Sequence, residues 1–287
     1  MALFLARQHS SDLDSVVEYL PEAVIDRLLE RKAAKLKEQA GEAAITQQQD
    51  DPGQSLSFDE LVALAQPSDL VLDAYSARGV LNAAPRSATA LSSLKLAPDR
   101  FLQRYEVATQ SGEEMMLTFD MQLEEALVPK YRGLQVVKRW FLKGITGEPA
   151  HPGDLPAKPE PCWGPEAVVQ AQLAALQEGG AGRIFRFASP GNRRATGPVE
   201  RFAQMLQAPL YRPLLRHLSA DLLRTVQMQP DLTLLIVGVR SNIPTAELGV
   251  TQGAVYSWTL RLQQDEGCQG CWMTESVQPI SQNLFKM

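Results

Sequence analysis

Cysteine and histidine are scarce, with three of each in 287 residues. A small, odd number of cysteines excludes a disulfide framework and points to a reducing compartment. A four-ligand zinc site is equally hard to assemble, because Cys268 and Cys271 in "EGCQGCW" are left with Cys162 and scattered histidines. No metal and no cofactor is therefore expected. Long apolar runs are missing too: nothing approaches the roughly 18 residues of a membrane helix. The opening "MALFLARQHSSDLD" has too short an apolar core for a secretory signal, and Asp12 and Asp14 follow at once. There is no G-x-G-x-x-G, Walker loop or G-x-S-x-G in usable context. Positive charge is not in excess either, and a net charge of −5 gives no global nucleic-acid footprint.

What is present is an ordinary globular composition, 45% hydrophobic and 21% charged, in a chain long enough for one large domain or two ordinary ones. The charge is unevenly spread. Lys and Arg against Asp and Glu number 17 to 23 over residues 1–158 and 11 to 10 over the rest.

Periodicity predicts helices first. Residues 11–40 carry Leu13, Val16, Val17 and Leu20 on one face, a restart at Pro21, then Val24, Ile25, Leu28, Leu29 and Leu36, with Gly41 as a stop. "TQQQDDPGQS" reads as a flexible linker at about residues 41–56. Ser57 to Glu60 has capping-box spacing ahead of "LVALA", and a further helix after Pro67 carries Leu70, Val71, Ala74 and Tyr75. The period then changes to two. Phe101 to Val107 alternates, Met115 to Leu123 alternates without a miss, and residues 134–142 form a third strand of an antiparallel meander. Six prolines from Pro149 to Pro165 mark a linker.

The second half repeats the order. Val169, Leu173 and Leu176 stripe one helix, Phe202, Met205 and Leu206 another, and strands are expected at about 221–229, 232–240, 254–263 and 271–278. "LTLLIVGV" reads as a strand covered on both faces, and "SPGNRR" as a type II turn about Pro190 and Gly191. "LTFDMQL" and "YSWTLRL" hint at a diverged internal duplication. The expected protein is α+β, with helices packed on curved antiparallel sheets. Its parts are a helical segment and β-meander over 1–148, a proline-rich linker over 149–165, and a cone-shaped domain over 166–280.

The runs "AVVQAQLAAL", "IFRFASPGNR", "RFAQMLQAPLYRPLL" and "YSWTLRLQ…CWMTES" carry a resemblance over about residues 163–280. They resemble an uncharacterised domain family of bacteria and plastid-bearing eukaryotes. That family is similar in fold to nuclear transport factor two and to the SnoaL-like, ketosteroid-isomerase-like and cystatin-like proteins. The resemblance implies a cone with a cavity at its open end, a plastid stroma location in a photosynthetic eukaryote and the cytoplasm otherwise, and pairing through the outer sheet face as a homodimer. It implies no activity, because such folds host enzymes, cups and interaction modules alike. Where a short Asp-Gly-type turn is expected before the tryptophan, this chain has "DEGCQGCW".

Two functions follow. The first is a non-catalytic interaction or assembly factor holding a protein partner through Arg183, Arg186, Arg193, Arg194, Arg201, Arg212 and Arg216, seven arginines with Glu200 as the one acid among them. Nucleic acid is disfavoured, because Phe185, Phe187, Phe202 and Tyr211 read as core rather than as exposed stacking platforms. The second is a cup for a small apolar ligand, or an isomerase- or dehydratase-like enzyme, beside Tyr256 and Trp258 with Tyr211, His217 and Asp221 in reach. No catalytic residue is assigned. Thiol redox work by Cys268 and Cys271 is a third reading, weakened because their C-x-x-C sits in a glycine-flanked turn rather than at a helix N-terminus.

Overall fold

The structure is a computed structural model that describes residues 20, 22–40, 64, 73–81, 85–130, 133–244 and 251–280. Helix α1 spans Glu22–Ala40, and α2 spans Ala74–Ser76 and runs into a π turn over Ala77–Leu81. Four strands follow, β1 Ser87–Ala97, β2 Arg100–Ala108, β3 Glu114–Lys130 and β4 Gly133–Pro149. Then come α3 Pro165–Glu178, α4 Ala181–Phe185, α5 Pro190–Thr196 and α6 Val199–Leu206, and a 3-10 turn at Arg212–Leu214. The last four strands are β5 Ser219–Gln229, β6 Leu232–Pro244, β7 Thr251–Leu262 and β8 Trp272–Ile280. The protein is α+β, with one sheet in the order β1-β2-β3-β4 and another in the order β5-β6-β7-β8. The chain divides into two compact units. The first is residues 1–109 with 116–148, and the second is residues 110–115 with 149–287.

In the first unit Val24 and Leu28 are buried on α1, as is Leu20 just before it. The stripe residues Leu13, Val16 and Val17 lie outside the described residues, as do the 41–56 linker, the capping box at Ser57 and the positions Leu70 and Val71. Asp73 caps α2, accepting from the Ser76 amide at 2.8 Å, and its other carboxylate oxygen accepts from Gly147 N at 2.6 Å. The sheet has four strands where the period-two pattern predicts three. β1 escapes that pattern because Leu91, Leu94 and Leu96 are exposed and two register shifts break its alternation.

The second unit is built around α3. Pro165 opens it at a position where the missing amide costs nothing. Gly179 closes it at φ +78°, a conformation that suits glycine, with the Gly180 amide bonded back to Ala175 O at 2.8 Å. Val168, Val169, Leu173 and Leu176 pack in one cluster with Leu235, Val237, Val239, Tyr256, Trp258, Leu260 and Trp272 from the sheet. "LTLLIVGV" is covered on one face only: Leu235, Val237 and Val239 are buried, while Leu234, Ile236 and Gly238 between them are half-buried. The run is apolar throughout because its outer face still packs side chains such as Leu223, which stands over Gly238.

"SPGNRR" is not a turn but the start of α5. Ser189 Oγ accepts from the Asn192 amide at 3.0 Å, a helix N-cap, with Pro190 in the first turn. Ser-Pro-Gly serves a turn and a helix start equally well, and the cap bond decides for the helix.

The two sheets share a register. β1 pairs with β2 and β5 with β6 at a constant offset of 132 residues, from Ser87↔Ala108 to Ser219↔Arg240. Both register shifts recur at that offset, after Ala90 and Lys95 in β1 and after Leu222 and Gln227 in β5. Beyond the second strand, the Leu123 amide donates to Asp99 O at 2.7 Å, and the Leu262 amide donates to Asp231 O at 2.8 Å. Leu123 and Leu262 are the last residues of "LTFDMQL" and "YSWTLRL", so the heptad match extends into matching backbone hydrogen bonds.

Candidate functional site

A cavity of about 340 Å³ opens between α3, α5, α6 and strand β8 of the second unit. Its floor and walls are apolar, from Leu176, Ile184, Phe202, Leu206, Leu214 and Trp258, and its volume is at the lower end of the range for small-molecule sites. Five of the polar lining residues are held by hydrogen bonds within the protein. Thr274 Oγ1 donates to Gln172 Oε1 at 2.8 Å, and Gln172 Nε2 donates to Ile184 O at 3.4 Å. Asn192 Nδ2 donates to Thr274 O at 3.0 Å, and Thr196 Oγ1 donates to Asn192 Oδ1 at 3.0 Å. The Tyr211 hydroxyl donates to Val277 O at 3.2 Å. A ring of satisfied polar groups around an apolar floor is preorganised, and it fixes which way a ligand's own polar end can point.

Strand β8 brings Thr274, Glu275 and Ser276 to the cavity in succession, which a regular strand cannot do. Ser276 pairs with Thr259 and Thr274 with Leu260, leaving Glu275 as the extra residue of a β-bulge. Bulges re-aim side chains in this way. Glu275 Oε1 accepts from Gln263 Nε2 at 3.2 Å, and the buried Gln263 also donates to Arg261 O at 3.0 Å.

Of the residues proposed from sequence, Tyr211 and Trp258 line this cavity. Tyr256 is buried beside Trp258, at 6.1 Å between ring centroids, and its hydroxyl donates to Leu210 O at 2.9 Å. Burial, with a smaller contribution from Tyr211, pushes its phenol up to about 12. His217 lies elsewhere, in a separate recess of about 290 Å³ with Ser219 and Gln177, its Nδ1 2.8 Å from Leu214 O. Asp221 is exposed on β5. The cavity therefore brings together two of those five residues.

All seven arginines are exposed, and none lines the cavity. Arg183 pairs with Glu178. Arg193 lies 5.7 Å from the Phe185 ring centroid and donates to Arg186 O at 2.6 Å. Arg186, Arg194, Arg201, Arg212 and Arg216 make no ion pair among the described residues.

The C-x-x-C is a turn, with the Cys271 amide bonded to Cys268 O at 3.0 Å. Pro161, next to Cys162, packs against it at Gly270. Burial raises the thiols of Cys162, Cys268 and Cys271 above their ordinary range, and for Cys271 the neighbouring Cys268 and Cys162 add to the rise. That is the reverse of the lowered pKa that activates a thiol. No group of three or more metal-ligating side chains gathers among the described residues. No helix among them is long and apolar enough to cross a membrane.

Sequence periodicity had no means of finding Glu275, Gln172, Asn192 or Thr196. Asn192 lies in the stretch read as a turn, Thr196 just beyond it, and Glu275 owes its position to a bulge. Residues 165–283 match a domain of unknown function, DUF4864. A solved structure described as an "Ntf2 like protein involved in plasmid conjugation" aligns with 68% of this chain and 77% of its own, at 8% identity and a TM-score of 0.23. So low a score carries no argument. Comparison with curated proteins gives no match.

Proposed function

We propose that the second unit is a cup of the nuclear-transport-factor-like type that binds one small, largely apolar molecule without covalent chemistry. The cavity of about 340 Å³, apolar at its floor and ringed by hydrogen-bonded polar groups, carries this reading. A general acid–base enzyme needs a proton-transfer group within reach of the ligand's reacting atom. The aromatic and aliphatic floor offers none, and Glu275 on the lining has no second carboxylate and no imidazole beside it there. Native mass spectrometry of the full chain, purified gently from its own host, tests the cup. An extra mass of a few hundred daltons, lost on denaturation and absent from an Ala195→Trp variant that fills the mouth, is expected. A clean apo mass, together with no binding of small apolar probes, would overturn it.

A second reading is favoured by one observation, the six exposed arginines without an acidic partner among the described residues. In this reading the arginine edge holds an acidic protein partner. A protein that co-purifies, dissociates as salt is raised and is lost on Arg194→Glu with Arg201→Glu would support it, because exposed charge pairing is screened by salt.

A further inference from the structure

The lining of the cavity carries one formally charged side chain, and its setting identifies the polar end of the ligand. We infer that the cup takes a molecule with an apolar body and a protonated amine, the amine seated on the Glu275 carboxylate. The inference rests on the cup reading and goes further by naming the chemical class.

Four observations carry it. The β8 bulge turns Glu275 to the same opening as Thr274 and Ser276, although strand alternation alone would send it to the other face. Gln263 holds one carboxylate oxygen, Oε1, which orients the group and leaves Oε2 without a hydrogen bond among the described residues. No cation among the described residues lies within ion-pair distance of Glu275. Arg194 approaches it, its Nη2 and Glu275 Oε2 standing 4.0 Å and 3.7 Å from the place a Cβ would take on Gly191. Finally, Gln172, Asn192, Thr196, Tyr211 and Thr274 of the lining already make hydrogen bonds within the protein, and the carboxylate is the one charged group there to pair with a ligand.

An ammonium group suits this setting twice over. Charge-assisted hydrogen bonds to a carboxylate are stronger than neutral ones, and the rings of Phe202, Tyr211 and Trp258 in the wall favour a cation near their faces. A ligand carboxylate would meet like charge at the opening. No arginine lines the cavity, so the carboxylate is the formal charge that a ligand inside it meets.

The test uses the full chain and three probes of one shape at neutral pH, phenethylamine, phenethyl alcohol and hydrocinnamate, measured by titration calorimetry. The amine is expected to bind tightest, by about tenfold over the alcohol, with hydrocinnamate weakest. Glu275→Gln should remove the amine's advantage and leave the alcohol unchanged, so that the alcohol reports an intact fold. Glu275→Lys should reverse the order of amine and acid. In the unmodified protein the amine's advantage should shrink as salt rises while alcohol binding holds. Equal binding of amine and alcohol, no effect of Glu275→Gln, or hydrocinnamate binding tightest would each overturn the amine assignment and leave the cup standing. No binding of any probe to the folded protein would remove the cup, and the amine with it.

Discussion

Leu235 and Gln103 stand at equivalent places in the two sheets, 132 residues apart, and the protein treats them oppositely. Leu235 is fully buried. Gln103 is half-buried and spends its amide on β1, donating to Ser92 O at 2.9 Å and accepting from Ser93 Oγ. Further along the same strands the difference disappears, with Tyr105 and Val107 as buried as Val237 and Val239. The next strand repeats the contrast: Leu117 and Phe119 match Tyr256 and Trp258 in burial, but Met121 is half-buried where Leu260 is covered. Register and bulges are properties of the backbone ladder and survive large changes of side chain. Burial depends on what covers the face. In the second unit α3 and its followers cover the whole face and leave a cavity at one end, and that is where the candidate site lies.

The largest effects should come from the matched aromatic pair. Trp258 and Phe119 are each about 1% exposed, so Trp258→Ala and Phe119→Ala should each cost about 3–5 kcal/mol in chemical denaturation. An equal, large loss for both supports the equivalence of the two sheets, and a small loss for Phe119→Ala would break it. The next pair sharpens the contrast. Leu235→Ala should cost about 2–5 kcal/mol, whereas Gln103→Ala should stay within about 1 kcal/mol because the site is half open.

Glu113 gives the second unit a feature tied to residue 164. Its Oε2 accepts from Trp272 Nε1 at 3.1 Å, and its Oε1 lies 2.5 Å from where a Cβ on Gly164 would be. Gly164 is the N-cap of α3 and has no side-chain cap bond of its own. The carboxylate from a distant loop fills the space a capping side chain would use, which is why glycine is needed there. Glu113→Ala should cost about 1–3 kcal/mol through the unpaired indole N–H. Gly164→Ala should also destabilise, by displacing that carboxylate, and Trp272 fluorescence should shift in both variants. A neutral Gly164→Ala would sink this account.

The helix α3 and the strands β2, β3 and β7 were legible in the sequence because apolar residues recur there at 3.6 or 2 residues, and β6 as a continuous apolar run. β1 was not, since its leucines face solvent and its bulges interrupt the period. α5 was hidden because Ser-Pro-Gly starts a turn and a helix alike. The site was legible only in part. Trp258 and Tyr211 follow from alternation and from a helix end, but the position of Glu275 depends on how Thr259 and Leu260 pair with β8, a contact no local pattern encodes. The thiols are a related case. Cys162, more than a hundred residues away in sequence, comes close enough to Cys271 to help raise its thiol, and only the fold reveals it.

The smallest effect separates the two units by pH. Tyr256 in the second unit and Tyr105 in the first are both buried, and burial raises both phenols. For Tyr256 the folded value reaches about 12 against an ordinary 10, so the folded state holds this proton more tightly than the unfolded one. The contribution is whole below pH 10 and is lost as pH climbs from there toward about 12, so the stability of the second unit should fall across that window. Tyr256→Phe should flatten the fall, and it should delete the last tyrosine to ionise in a titration followed by phenolate absorbance. Tyr105→Phe should leave that last step in place. If instead Tyr105→Phe removes it, the inner face of the first sheet is the better covered at this level, and the contrast between the two units is reversed where their registers agree best.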